Sequence, residues 1–410
     1  MGEGIWKGHP VNQSKDQFQS LDDYAQRLFR FGGGHDLGAA RDFYFKVMDE
    51  AKAAVEARGQ TFVSFANYDY LGLSRHPEVQ QAGIDAIRTF GSGALASRLA
   101  GGERSVHRLL EQDLADFLGT ETSLAMVSGF LTNETMISTF FLGRDLILCD
   151  ELSHASILAG AKGTRAKSIA FRHNDLDHLD ALLNEHRASH ANCIIVVEGL
   201  YSMDGDIPDL GRLLAIKDRH HAWLMIDEAH SHGVLGHTGR GICEHAGEDP
   251  ARVELIMGTL SKTFVTCGGF LAGSRAVIDV LRFALPGYMF SVGIAPTLAA
   301  MARQAIHLAT QEAWRTQALA QKAHRLLTRA HAAGLNTGDA IGRGIVPIMF
   351  RTQEETVAAS VRLMAAGIYA PPIMHGVPRN MPRIRMFVSA AHDDADIDRA
   401  VEILAHTPAG

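Results

Sequence analysis

Four short stretches of the chain put chemically capable side chains beside the ends of apolar runs. In LIMGTLSKTF, residues 255–264, Lys262 follows an apolar run after a short polar turn. A lysine so placed can sit in a dry pocket, where lost hydration lowers its pKa and prepares the amine to form a Schiff base with a carbonyl. Taken by itself, such a lysine is more often a solvated loop residue. In WLMIDEAHSHG, residues 223–233, Asp227 closes a run of buried-strand character. The C-terminal end of a parallel strand is where open α/β sheets bind ligands. A buried carboxylate there needs a cationic partner, and a protonated pyridine nitrogen is one. His230, three residues on, can reach another edge of the same ligand.

In DELSHAS, residues 150–156, His154 follows a strand and offers an imidazole that can stack on an aromatic ring. A surface or capping histidine would look the same. In MVSGFLTN, residues 126–133, Ser128, Gly129 and Phe130 stand where a strand gives way to a helix. The free N–H groups and dipole of a helix start suit a phosphate, although an ordinary strand-to-helix turn has the same sequence character. Each signal is weak alone. Their order along the chain is phosphate turn, stacking imidazole, strand-end carboxylate, then lysine, and this is the set that pyridoxal phosphate requires.

Three other patterns carry little. GSGALA, residues 91–96, matches a dinucleotide fingerprint but follows the helical stretch AGIDAIRTF instead of a strand. DEAH, residues 227–230, has no phosphate-cradling G-x-x-x-x-G-K-[ST] loop to accompany it. The pairs His220/His221 and His230/His232 lack companion ligands at metal spacing, so no metal is expected.

The elements that must hold these residues alternate. TSLAMV, DLILCD, SIAFR, ANCIIVVEG, AWLMID, ELIMGTL and GGFLAG read as seven strands, with helical periodicity between them in stretches such as HRLLEQDLADFLG and DLGRLLAIKDRHH. Runs such as CIIVV are apolar without alternation, as strands buried on both faces are. A largely parallel sheet covered by helices is therefore expected over residues 61–290. Residues 1–60 read as a polar arm and a helix, RDFYFKVMDEAKAAVEARG. A helical region and a smaller βα pattern give a second, C-terminal lobe over 291–410.

The chain has 410 residues, 46% hydrophobic and 21% charged, which suits two lobes around sizeable cores. A net charge of −7 argues against nucleic acid as a main partner. The four cysteines include no C-x-x-C pair. With no apolar leader and no run long enough to span a bilayer, a cytoplasmic location is expected.

The motifs NYDYLGL, SGFLTN, LSHAS, FRHNDL, VEGLYSMDGD, IDEAHSHGVLGHTGRG, GTLSKTF and PRIRMFVSAAH resemble the α-oxoamine synthases from about residue 60 to the C-terminus. The resemblance implies an α/β pyridoxal-phosphate enzyme of fold type I, homodimeric, with active sites at the subunit interface. It implies that Lys262 holds the cofactor, Asp227 faces its ring nitrogen, His230 its phenolic oxygen, and His154 its ring face. Ser128 and the Gly129 and Phe130 amides would take the phosphate, with Ser202, Glu198 and Thr259 around them. Arg385 would grip the substrate carboxylate and Tyr68 would line the substrate pocket. Ser291 would stand in for a phosphate-binding residue that the family often has at the position of Val292.

The implied reaction joins an amino acid to an acyl thioester, on coenzyme A or a carrier protein, with loss of CO2. The Tyr68–Asp69–Tyr70 run looks like the serine palmitoyltransferase pattern, so L-serine and a long acyl chain are expected, with peripheral membrane contact left open. L-alanine with pimeloyl thioester comes second. An aminotransferase, a lyase or a non-catalytic partner subunit are the readings from other classes.

Overall fold

The computed structural model of the chain describes residues 20–25, 43, 46–47, 54–57, 60–373 and 381–405. Strand β1, Ala54–Ala57, pairs antiparallel with β2, Gln60–Ser64. This corrects the expected helix at its C-terminal end. Ala and Glu favour helix, but here the segment forms one side of a tight hairpin, and pairing outweighs propensity. Most of the rest of that expected helix, and the arm, lie outside the described residues.

The central sheet has the seven expected strands: β3 Thr122–Met126, β4 Leu146–Asp150, β5 Lys167–Phe171, β6 Cys193–Glu198, β7 Trp223–Asp227, β8 Leu255–Thr259 and β9 Gly269–Gly273. Their order is β3-β9-β8-β7-β6-β4-β5. The pairs from β8 to β5 are parallel, and β9 runs antiparallel to both its neighbours. Strands β3 to β8 therefore all end on one edge of the sheet.

Burial explains the unbroken apolar runs. Along β6, Cys193, Ile195 and Val197 join one core, whereas Ile194 and Val196 join a second on the opposite face. Helices Leu176–His186 and Leu210–Arg219 supply Leu179, Leu183, Leu210 and Leu213 to the first. Helices Gly129–Phe140 and Arg275–Ala284 supply Met136, Ile137, Ile278 and Leu281 to the second. A strand covered on both faces has no solvent face to make polar.

The C-terminal part contributes β10 Ile345–Met349, β11 Ile368–Tyr369, β12 Pro372–Ile373 and β13 Arg383–Phe387. Strand β11 completes a sheet with β2 and β1, and β13 lies between β10 and β12. The chain is thus stitched end to end, because Phe387 N–H donates to the Phe65 carbonyl at 2.9 Å and Ala390 N–H to that of Tyr70 at 2.7 Å. The helix Pro296–Gln311 packs back on the helix Pro77–Phe90, close enough that a Cβ at Gly83 would come within 2.9 Å of Met301 Sδ. Among the described residues no helix is long and apolar enough to cross a membrane.

Candidate active site

Every strand from β3 to β8 delivers a polar or titratable residue just past its end on the shared edge. Ser128 follows β3, His154 follows β4, and His173 follows β5. Ser202 follows β6, His230 follows β7, and Lys262 follows β8. Glu198 and Asp227 are themselves the last residues of β6 and β7 and lie opposite one another in register. This edge is where parallel strands leave unpaired loop backbone and side chains free to meet a ligand.

Asp227 is 4% exposed and firmly held. Its Oδ2 accepts from Asn133 Nδ2 at 2.7 Å and its Oδ1 from Ala229 N–H at 2.9 Å. Glu198, 3% exposed, has its pKa raised well above the usual carboxylate value, by burial first and then by the Asp227 charge. The Lys262 amine is pushed down from the ordinary lysine value because burial outweighs the attraction of Asp227 and Glu198. Its Nζ stands 5.7 Å from the centroid of the Tyr68 ring.

Both site histidines are kept neutral. His230 is lowered well below the ordinary imidazole value by burial, reinforced by the charges of Lys262 and Arg385. Its Nδ1 is 2.7 Å from the Tyr70 hydroxyl. His154 is lowered by burial too, against the opposing pull of Asp227. It caps the helix Ala155–Gly163, its Nδ1 lying 2.7 Å from Ser156 Oγ. The capping role that a lone histidine suggested is real, and it coexists with a place in the site.

The turn after β3 forms a small polar cradle. Ser128 caps the twelve-residue helix Gly129–Phe140, its Oγ accepting from Leu131 N–H. Thr259 Oγ1 lies 2.7 Å from Ser261 Oγ, and a Cβ at Gly129 would come within 3.1 Å of that Thr259 oxygen. A Cβ at Gly269 would come within 2.6 Å of the Gly129 Cα, so two glycines let helix and strand close together. Hydroxyls beside a helix N-terminus make a site for an anion. Phe130 belongs to this turn, its ring half exposed and edge-on to His154 at 6.3 Å.

Arg385 reaches the same edge from β13. Its Nη1 donates to the Ser202 carbonyl at 3.1 Å and its guanidinium stacks over Phe387 at 4.7 Å. Its Nε is buried and has no hydrogen-bond partner among the described residues. A buried donor left open is costly unless a ligand satisfies it. Tyr68 meets His230 edge-on at 5.8 Å and Phe387 at 4.7 Å. Ser291 lines a recess at the end of β3 with Arg98, Val127 and Tyr288.

Sequence reasoning missed Asn133, Tyr70, Ser261 and Phe387. Asn133 and Ser261 sat inside quoted motifs without a role, so their neighbours could have drawn attention to them. Tyr70 and Phe387 also lay inside quoted motifs without a role, and Tyr70 is wholly buried.

The residues present fit pyridoxal phosphate, with an anion cradle, a fixed carboxylate, neutral imidazoles and a desolvated lysine on one edge. Comparison with known proteins agrees. The aminotransferase class I and II family model matches residues 60–404, and the chain belongs to this family, in its α-oxoamine synthase branch. It is a pyridoxal-phosphate-dependent acyltransferase of fold type I.

The 8-amino-7-oxononanoate synthase of Cellvibrio japonicus is 36% identical over 351 residues, covering 84% of this chain and 86% of that one. The serine palmitoyltransferase of Bacteroides thetaiotaomicron is 34% identical over 365 residues, covering 88% of this chain and 91% of the relative. Among solved structures, a serine palmitoyltransferase variant from S. paucimobilis with a bound PLP–myriocin aldimine superposes with a TM-score of 0.89 at 28% identity, covering 95% of this chain and 98% of that one.

Proposed function

We propose that the chain condenses L-serine with a long-chain acyl thioester, releasing thiol and CO2 and leaving an α-amino ketone. The observation that carries the condensation is the open Arg385 Nε beside a desolvated Lys262 on the sheet edge that also bears Asp227. An amino acid brings the carboxylate that the first lacks and the α-proton that the second can take. The choice of L-serine is supported by the Tyr68 position and by the 0.89 TM-score to a serine palmitoyltransferase.

Bound pyridoxal phosphate supplies an aldehyde for the substrate amine and a ring that withdraws electrons from Cα. The cradle of Ser128, Gly129, Phe130 and Thr259 would hold its phosphate. Asp227, pinned by Asn133, would face the ring nitrogen and favour a proton there. Lys262 would hold the cofactor, and its amine would take the α-proton of the amino acid. Arg385 grips the α-carboxylate, a role that a guanidinium fork suits. Neutral His154 offers its face to the ring without adding charge. His230, with Nδ1 engaged by Tyr70, is left with Nε2 free to donate to a developing oxyanion. Glu198, its carboxyl pushed toward the protonated form by burial and by the Asp227 charge, and Ser202 complete the site. The new C–C bond forms as the thioester C–S bond breaks, the carboxylate then leaves as CO2, and a proton returns to Cα.

A second copy of this chain is proposed to complete the site. Leu95 and Phe290 are 86% and 79% exposed around the Ser97–Val292 bridge, an apolar surface that a partner would cover. From there Ser291 would face the neighbouring subunit's phosphate. A cytoplasmic location and peripheral contact with lipid fit a long-chain product and are part of this reading.

The second reading is L-alanine with pimeloyl thioester, favoured by the 36% identity to an 8-amino-7-oxononanoate synthase. Titrating the holoenzyme's visible spectrum with L-serine, L-alanine and glycine, then measuring thiol release from acyl-CoAs of graded length, separates the two. A response to L-serine with release only from long chains supports the first. A response to L-alanine with pimeloyl-CoA turnover replaces it with the second.

A further inference from the structure

One histidine on the site edge, its side chain only 6% exposed, is not used by this chemistry. His173 follows β5 and is clamped between two acids, with Nδ1 2.9 Å from Asp150 Oδ1 and Nε2 2.9 Å from Asp206 Oδ2. Asp150 is fully buried at the end of β4, and Asp206 is 7% exposed in the loop after β6. Asn174, in the left-handed region at φ +51°, tightens the clamp. Its N–H donates to Asp150 Oδ2 at 2.9 Å and its Nδ2 to Asp206 Oδ2 at 2.8 Å.

The loop that Asp206 anchors is the one that positions Arg385. Tyr201 N–H donates to the Asp206 carbonyl at 2.9 Å, and the Tyr201 ring meets the His173 ring edge-on at 4.5 Å. From the same loop the Ser202 carbonyl holds Arg385 Nη1, while Asp204 Oδ1 accepts from Arg383 Nη1 at 2.9 Å. The Gly205 carbonyl accepts from Ile341 N–H at 3.0 Å. The loop is thus a keystone between the central sheet and the strand that carries Arg385.

We propose that His173, as an imidazolium bridging Asp150 and Asp206, is a positioning residue that sets the Arg385 guanidinium for the substrate carboxylate. With both ring nitrogens donating to carboxylates, only the protonated ring satisfies the two acids. A neutral ring would leave one acid facing a lone pair and push the loop off the sheet. The groups facing His173 agree in sign. Asp150 and Asp206 both favour the cation, and the Glu151 carboxylate beside them accepts from the His173 main-chain N–H at 3.1 Å. The hydrogen bonds to Asp150 and Asp206 outweigh burial and raise its pKa to about 10. The charged bridge is therefore intact at neutral pH and is lost as pH rises through about 10.

This inference rests on the reading of Arg385 as the carboxylate site, and the test separates the two. The amino-acid Kd is read from the holoenzyme's visible absorbance, alongside kcat, the KM for acyl-CoA, and the melting temperature. H173Q and R385A are compared with the unaltered chain. A charge-assisted contact to a carboxylate corresponds to about ten- to a hundredfold in binding, so R385A is expected to raise the amino-acid Kd by that factor. H173Q is expected to raise it about tenfold with cofactor retained and the acyl-CoA KM unchanged. H173A is expected to recover amino-acid binding when imidazole is added. An R385A protein that binds the amino acid normally overturns the Arg385 reading and this inference with it. R385A impaired while H173Q binds normally overturns the inference alone. H173Q losing melting temperature and every kinetic parameter together, with no imidazole recovery in H173A, assigns His173 a structural role only and also overturns it.

Discussion

The Tyr70 hydroxyl lies 2.7 Å from Nδ1 of His230, and both side chains are buried. A buried phenol must donate its proton, and His230 Nδ1 is the acceptor the structure provides. Burial raises the Tyr70 pKa well above the ordinary phenol value, so the proton stays on the oxygen. The bond therefore fixes the imidazole tautomer with hydrogen on Nε2, the nitrogen proposed to act in the reaction. Replacing Tyr70 with Phe frees Nδ1 and lets the ring exchange tautomers. We expect Y70F to keep the cofactor and its amino-acid affinity while kcat falls about tenfold, the worth of one neutral hydrogen bond. Steady-state kinetics with a parallel spectral titration checks this, and unchanged kcat would remove Tyr70 from the account.

Asn133 makes a comparable claim on Asp227. Its Nδ2 holds Asp227 Oδ2 at 2.7 Å, and Ser156 Oγ accepts from the same nitrogen at 3.0 Å. Leucine at this position strips a buried carboxylate of one partner, which costs about 1–3 kcal/mol. N133L should melt earlier as apoprotein and recover part of the loss when cofactor is added, because the ring nitrogen gives Asp227 a new partner. Equal losses with and without cofactor would contradict the assigned pairing.

The two-glycine contact under the proposed phosphate cradle predicts a loss specific to cofactor affinity. A methyl at Gly269 would meet Gly129 Cα and Thr132 Oγ1, both at 2.6 Å. The helix start must move outward, at a cost of about 1–3 kcal/mol. G269A should therefore raise the cofactor Kd about tenfold or more, read by fluorescence quenching during reconstitution of apoprotein. Normal affinity would mean that the turn after β3 does not carry the phosphate.

Acid stability depends on a different histidine. His232 is 2% exposed, stacked on Phe270 at 5.6 Å, and neither ring nitrogen has a partner among the described residues. Burial depresses its pKa to about 3. The unfolded chain takes up a proton near pH 6.5 that the folded chain refuses until about 3, so stability falls as pH drops through that window. At pH 5 the penalty is about 2 kcal/mol. H232F should flatten the dependence of melting temperature on pH between about 6.5 and 3.5, and an unaltered slope would show that other groups govern acid unfolding.

Much of this was legible in the chain because apolar runs such as CIIVV and WLMI have a plain physical cause, burial on both faces. The central strands other than β5 fall where such runs lie, and the edge strand β5 is mostly exposed. Lys262, Asp227, His230 and His154 were visible because each follows such a run, and the sheet brings those strand ends to one edge. The hairpin strand at Ala54–Ala57 was not visible, since its residues favour helix and only a partner strand decides otherwise. Tyr70 and Asn133 were hidden for another reason. Their function lies in one hydrogen bond each, to residues 160 and 94 positions away, and no local pattern records that. The bridge from Asp150 through His173 to Asp206 joins three separate strand ends and becomes apparent only in three dimensions.

The most direct test of the central claim is product stoichiometry. Holoenzyme is given carboxyl-labelled L-serine and palmitoyl-CoA, and CO2 and free thiol are counted together. The account predicts equal amounts of both, neither formed without the other substrate, and neither formed by K262A. Thiol without CO2, CO2 without thioester, or turnover by K262A would contradict it.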